Sequence, residues 1–194
     1  PLVSSSAASD VYKRQPDVLQ TEDAFQIPTY NKIPIALTRG EDCTVWDADG
    51  NAYLDFYGGH CVTLLGHSPT PVVEAVKAQL DQLLFYSNVA YSPPRARTAK
   101  LLAEAAPAGM QHTFFCNSGT EANETALKLA RTHTNRTEIV AFEGAFHGRT
   151  LGSLSATWNP KYRAPYQAIL PKTTFLPFGA VSYTHLTLPT TRLV

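Results

Sequence analysis

The stretch from Phe114 to Arg131, FFCNSGTEANETALKLAR, changes character in its middle. Up to Cys116 it is apolar and aromatic. From Gly119 onward, apolar residues recur at helical spacing among good helix formers. Between the two lie only Asn117, Ser118, Gly119 and Thr120. A strand that breaks on four small or polar residues and restarts as a helix is one unit of an α/β layer. The pattern predicts a strand over 113–116 and a helix from Gly119 to about Thr132. It then repeats, with a strand over 138–142, a helix or turn over 150–155 and a late strand over 173–178. Strand and helix alternating at this spacing argue for a mostly parallel sheet.

The first 57 residues do not alternate in this way. An extended arm with a short helix is expected over 16–40, which holds Pro16, Pro28 and Pro34. Asp49-Gly50 between the β-prone runs 44–47 and 52–57 predicts a hairpin. Residues 57–67 read as a glycine-punctuated loop. Ser68-Pro-Thr-Pro71 opens a helix to about Leu84, with Val73, Ala75, Val76, Leu80 and Leu83 on its apolar side. A further helix over 95–106 is closed by Pro107 and Gly109.

Basic and acidic residues balance at 16 each, so no charge excess points to a nucleic-acid or membrane-surface partner. No window is long and apolar enough for a membrane helix. The three cysteines, Cys43, Cys61 and Cys116, form no CxxC pair. Neither a metal cluster nor a disulfide framework is indicated, and a reducing, cytoplasmic setting is the default.

The two ends carry a signal at the level of DNA. Ser5–Gln15 reads SSAASDVYKRQ and Val181–Thr190 reads VSYTHLTLPT. One DNA element encodes the first, and its reverse complement encodes all ten residues of the second. An inverted element at both ends is the mark of an in-frame adaptor, and such scars are set aside in fold reasoning. The expected organisation is therefore an adaptor-derived tail over 1–15, an arm and small-domain hairpin over 16–57, the start of a large domain over 58–180, and a second tail over 181–194. The segment 16–180 is expected to be truncated at both ends.

In an open α/β sheet, ligands bind beyond the carboxyl ends of the strands. The turn at 117–120 lies there, on a helix N-terminus whose unpaired N–H groups suit a phosphate. The Ser118 and Thr120 hydroxyls are further candidate donors. Ser118-x-x-Glu121 also fits a capping box, and the two uses are compatible. Neither GxxxxGK[ST] nor GxGxxG is present. A second group, EGAFHGRT over 143–150, follows the next strand. There Phe146 could cover a flat ring and Arg149 could fork onto a carboxylate. A plain turn with a buried Phe146 and a solvated Arg149 is the other reading.

Together NSGTEANE…ALKLAR and AFHGRT resemble the class III aminotransferases, pyridoxal-phosphate enzymes of fold type I, and among them the ornithine-type branch. The resemblance extends through VWDADGNAYLDFYGGHCVTLLGH and SATWNPKY. It implies the α/β fold of those enzymes, with arm, small-domain part and the first part of the large-domain sheet present. It implies that Ser118, Gly119 and Thr120 hold the phosphate of pyridoxal 5′-phosphate. Phe146 stacks on the ring, His147 supports the local network, Arg149 takes the substrate carboxylate and the loop 58–62 lines the substrate side. Thr63 stands where relatives often carry asparagine.

The implied reaction moves the amino group of an acylated ornithine to 2-oxoglutarate, in an enzyme that is a homodimer at full length. Lys32, Lys77, Lys100, Lys128, Lys161 and Lys172 do not match the family's Schiff-base lysine, which falls beyond the segment together with the pyridine-nitrogen aspartate. No catalytic residue is therefore expected here, and no activity of the chain alone. Two other functions remain open on the residues: a decarboxylase, racemase or aminomutase with the same cradle, and a non-enzymatic phosphate-ligand module.

Overall fold

The computed structural model describes residues 15–180. Both stretches read as adaptor-derived lie outside the described residues, except for Gln15. Two compact units meet in sequence at Ala90 and Tyr91.

In the first unit, helix α1 (Gln15–Phe25) is the short helix expected in the arm. Gln15 itself is structurally engaged, its side-chain oxygen accepting the Ala36 N–H at 3.1 Å. Strands β1 (Leu37–Glu41), β2 (Thr44–Asp47) and β3 (Ala52–Leu54) form an antiparallel sheet in that order. The β2–β3 turn is the hairpin that Asp49-Gly50 predicts, and Asp47 organises it. The buried Asp47 carboxylate accepts the Asn51 N–H at 2.8 Å, the Asn51 amide at 2.9 Å, the Tyr53 hydroxyl at 2.8 Å and the Asp49 N–H at 3.0 Å. The Asn51 amide leads in holding Asp47 below the usual aspartate range, against an opposing effect of burial. Strand β1 adds an edge that the sequence pattern did not announce, with Arg39 stacked 3.5 Å over the Trp46 ring.

Within the glycine-punctuated loop, Gly58–Cys61 makes one helical turn with left-handed angles at Gly59 and His60. Asp55 fastens it, accepting the N–H groups of Tyr57 and Gly58 and meeting His67 Nε2 at 2.6 Å. Helix α2 (Thr70–Gln82) starts on Pro71 as expected. The apolar side assigned to it is not covered: no residue of α2 is buried among the described residues, and Val76 and Leu80 are about half exposed.

In the second unit, helix α3 (Pro93–Ala105) also begins on prolines. The strand expected over 113–116 does not form. Those residues carry no strand pairing among the described residues, and Phe114 and Phe115 are exposed. A strand is defined by its neighbour, and the described sheet supplies none here. Helix α4 (Gly119–Thr134) follows, closed by Asn135 in the left-handed conformation. Strand β4 (Ile139–Phe142), helix α5 (Leu151–Ala156), the short helix α6 (Pro160–Arg163), a 3₁₀ turn (Ala164–Tyr166) and strand β5 (Thr173–Leu176) complete the unit.

Strands β4 and β5 pair in parallel, Ile139 against Thr173 through Phe142 against Leu176. Ile139, Ala141 and Ala156 form the core, with Leu127 of α4 and Phe175 of β5 packed on it. Trp158 sits edge-on to Phe175 at 5.1 Å. This core joins the middle of α4, through Leu127, to β4, β5 and the end of α5.

Candidate active site

Both sequence groups border one open depression of about 510 Å³ within the second unit. It is lined by Ser118, Gly119, Thr120 and Asn123 from the start of α4, and by residues 146–150 from the loop after β4. All six residues singled out in the sequence, Ser118, Gly119, Thr120, Phe146, His147 and Arg149, are brought together.

The α4 end is a capping box with a twist. The Ser118 hydroxyl oxygen accepts the Glu121 N–H at 3.3 Å and donates its hydrogen to Glu121 Oε2 at 3.0 Å. The same carboxylate oxygen accepts the Asn117 N–H at 2.9 Å. The Ser118 hydrogen is thus directed to a carboxylate three residues on. The N–H groups of Gly119 and Thr120 occupy the first two helical positions and have no acceptor within the helix. Gly119 and Thr120 border the open depression, and a Cβ on Gly119 meets no atom within 4 Å beyond its chain neighbours and its own helix backbone. A phosphate fits such a donor set, with two amides, a helix N-terminus and room for its oxygens.

The loop after β4 is tied to α4 by polar contacts that leave its outer side chains in the depression. Asn123 Nδ2 donates to the His147 carbonyl at 2.7 Å, and the His147 N–H donates to Thr157 Oγ1 at 3.0 Å. His147 is thus anchored through its backbone. Thr157 is fully buried and shares its one hydroxyl hydrogen between the Gly148 and Ser153 carbonyls, at 3.0 and 3.2 Å. Ser153, also fully buried, donates to the Thr120 carbonyl at 3.0 Å. The Phe146 ring is 60 % exposed and meets Tyr162 edge-on at 6.2 Å, so it is not the buried ring of a plain turn.

The loop comes this close because of its glycine. Gly148 has φ +135°, and a Cβ there would fall 2.7 Å from Thr120 Cβ and 2.9 Å from Ser153 Cβ. Beside it, Thr120 Oγ1 lies 2.7 Å from Thr150 Oγ1, which donates to Glu124 Oε1 at 2.6 Å. The Thr150 bond is the main cause holding Glu124 below the usual glutamate range, with burial opposing and the Ser153 and Gly152 amides assisting.

Asn123, Glu124, Gly148 and Thr150 were not singled out in the sequence. A signal for two of them exists: Asn123 and Glu124 lie three and four residues after Thr120, on the helix face it shares. No cluster of metal-ligating side chains occurs among the described residues, and none of their helices is long and apolar enough to cross a membrane.

A helix N-terminus that offers amides beside the end of a parallel strand belongs to the α/β phosphate-binding folds, and solved structures narrow that class. The ornithine aminotransferase of Toxoplasma gondii superposes with a TM-score of 0.86 at 21 % identity, over 97 % of this chain and 46 % of that one. The taurine:2-oxoglutarate aminotransferase of Bifidobacterium kashiwanohense, solved with PLP and glutamate, superposes with a TM-score of 0.79 at 26 % identity, over 88 % of this chain and 39 % of that one. The fold is that of the fold type I pyridoxal-phosphate transferases, here in part.

Residues 25–187 match the model of the class-III aminotransferases, and the chain belongs to that family. The acetylornithine aminotransferase of Methanopyrus kandleri is 48 % identical over 166 residues, which are 86 % of this chain and 43 % of that protein. The chain thus spans less than half the length of the curated relatives it matches.

Proposed function

We propose that this chain is the phosphate-holding and carboxylate-binding part of a pyridoxal-phosphate aminotransferase. The complete enzyme moves the amino group of N-acetylornithine to 2-oxoglutarate in arginine biosynthesis. The observation that carries the reading is the convergence of the α4 amides, the exposed Phe146 ring and Arg149 on one depression.

The amides of Gly119 and Thr120 hold the cofactor phosphate, and Ser118 with Glu121 keeps the helix end in shape. Phe146 covers one face of the cofactor ring. Arg149 binds a substrate carboxylate as a planar fork, a geometry that a lysine does not offer. His147 contributes through its backbone. Pyridoxal phosphate, when bound, supplies the electron sink that makes the proton on an amino-acid α-carbon removable. The residue that moves that proton is not in the chain; Lys77 pairs with Glu74 on an exposed helix face, in keeping with a solvated role. The complete enzyme is a cytoplasmic homodimer in this reading, which the names of the curated relatives support for the substrate.

The test compares two proteins. The full-length gene product is assayed with 2-oxoglutarate and, in turn, N-acetylornithine, ornithine, succinylornithine and 4-aminobutyrate, and N-acetylornithine is expected to be the preferred donor. The 194-residue chain is expected to bind pyridoxal phosphate and to turn nothing over. A preferred donor other than N-acetylornithine overturns the substrate assignment, and turnover by the chain alone overturns the division of roles.

A further inference from the structure

We propose that Glu124 is a positioning residue of this site: from the second turn of α4 it holds the segment carrying Arg149 in register with the amide cradle. The proposal rests on the phosphate reading above, and three observations carry it.

The first is the origin of the cap on α5. Thr150 occupies the N-cap position of α5, yet its hydroxyl makes no cap bond. The exposed end is served from another helix, since Glu124 Oε1 accepts the Ser153 N–H at 3.0 Å and the Thr150 hydroxyl at 2.6 Å. A carboxylate at a helix N-terminus is favourable on charge as well as on hydrogen bonding.

The second is steric. A Cβ on Gly152 would lie 2.8 Å from Glu124 Cδ, just as one on Gly148 would lie 2.7 Å from Thr120 Cβ. Thr120 and Glu124 are four residues apart on α4, and Gly148 in the loop and Gly152 in the first turn of α5 are likewise four apart. Two glycines therefore seat on two successive turns of one helix face, with Arg149 and Thr150 between the seats.

The third is the direction of the hydroxyl chain. Thr150 gives its hydrogen to Glu124, so the 2.7 Å contact leaves Thr120 as donor to Thr150. Thr120 then has no hydrogen left for a ligand. With Ser118 committed to Glu121 in the same way, the cradle's donors are backbone amides alone. Glu124 fixes both the place of Arg149 and the polarity of the nearest hydroxyl.

The experiment titrates the purified chain with pyridoxal 5′-phosphate and records the ³¹P resonance of the bound ligand. Glu124→Gln keeps an acceptor at Oε1, and its affinity should stay within about threefold of the unmodified chain, a difference under 1 kcal/mol by the usual conversion. Glu124→Leu removes the acceptor and should weaken binding by about tenfold or more while moving the bound ³¹P resonance. Should that variant lose its helical circular dichroism, Thr150→Val deletes only the bridging hydroxyl and should produce the same two changes. If both folded variants merely melt earlier, with affinity and ³¹P resonance unchanged, Glu124 is structural and the proposal is wrong. If the folded unmodified chain does not bind pyridoxal phosphate, the phosphate reading itself fails, and the proposal with it.

Discussion

Replacing Gly119 by proline tests the central claim about the cradle, because it removes one N–H and puts a ring methylene in its place. At the first helical position that N–H has no intrahelical acceptor, so α4 loses no internal bond. Proline is well suited to this position, and α2, α3 and α6 already carry it in their first turns. Ser118, at φ −156° and ψ 159°, is in the extended region that a residue before proline prefers. A Cβ at 119 meets no atom within 4 Å beyond its chain neighbours and its own helix backbone.

Folding stability should therefore change by no more than about 1 kcal/mol, with any gain coming from a less flexible unfolded chain. The ligand loses one hydrogen bond to a charged acceptor, worth about 1.5–3 kcal/mol. At about 1.4 kcal/mol per factor of ten, affinity for pyridoxal phosphate should fall roughly 10- to 150-fold. The assay is a titration followed by absorbance, beside urea unfolding of each protein. Pyridoxal, which lacks the phosphate, should bind both proteins alike. Gly119→Ala keeps the amide and serves as the matched control. If the proline variant folds and binds pyridoxal phosphate as tightly as the unmodified chain, the amide cradle is refuted.

Two further outcomes are expected. Gly148→Ala should destabilise the chain by about 2–6 kcal/mol, the sum of a backbone conformation that disfavours a side chain and of overpacking against Thr120 and Ser153; a urea midpoint equal to that of the unmodified chain would contradict the close approach. Asp47, held below the usual aspartate range, stabilises the hairpin fully above the ordinary value of about 3.9, and that contribution disappears as pH falls through the lower folded value. The unmodified chain should therefore lose more stability on acidification than Asp47→Asn does, as read by urea unfolding against pH, and parallel curves would count against the role given to Asp47.

Local chemistry was legible in the sequence, and long-range pairing was not. The starts of α2 and α3 are written in proline, the hairpin in Asp49-Gly50, and α4 in the change of character at Asn117. Each depends on residues within a turn or two of one another. The six residues that meet at the depression share a related local signal, since each of the two groups sits where an apolar run gives way to small and polar residues. The strand over 113–116 was misread because an apolar, aromatic run specifies a tendency, while a strand also needs a neighbour. The uncovered side of α2 teaches the same lesson, because periodicity shows which face can be buried and not what buries it. Glu124 and Gly152 escaped notice because their contact joins residues distant in sequence, and neither residue type is unusual where it stands.

The parallel pairing of β4 with β5 also bears on the order in which the molecule assembles. Ile139 meets Thr173 only after the whole intervening segment, α5 and α6 included, has been looped back. Such closure costs chain entropy and slows folding, whereas the β2–β3 hairpin closes almost locally. During synthesis from the N-terminus the hairpin can form early, while the β4–β5 pair must wait for the ribosome to pass Leu176. The parallel pair is thus a later event than the hairpin in the assembly of this chain.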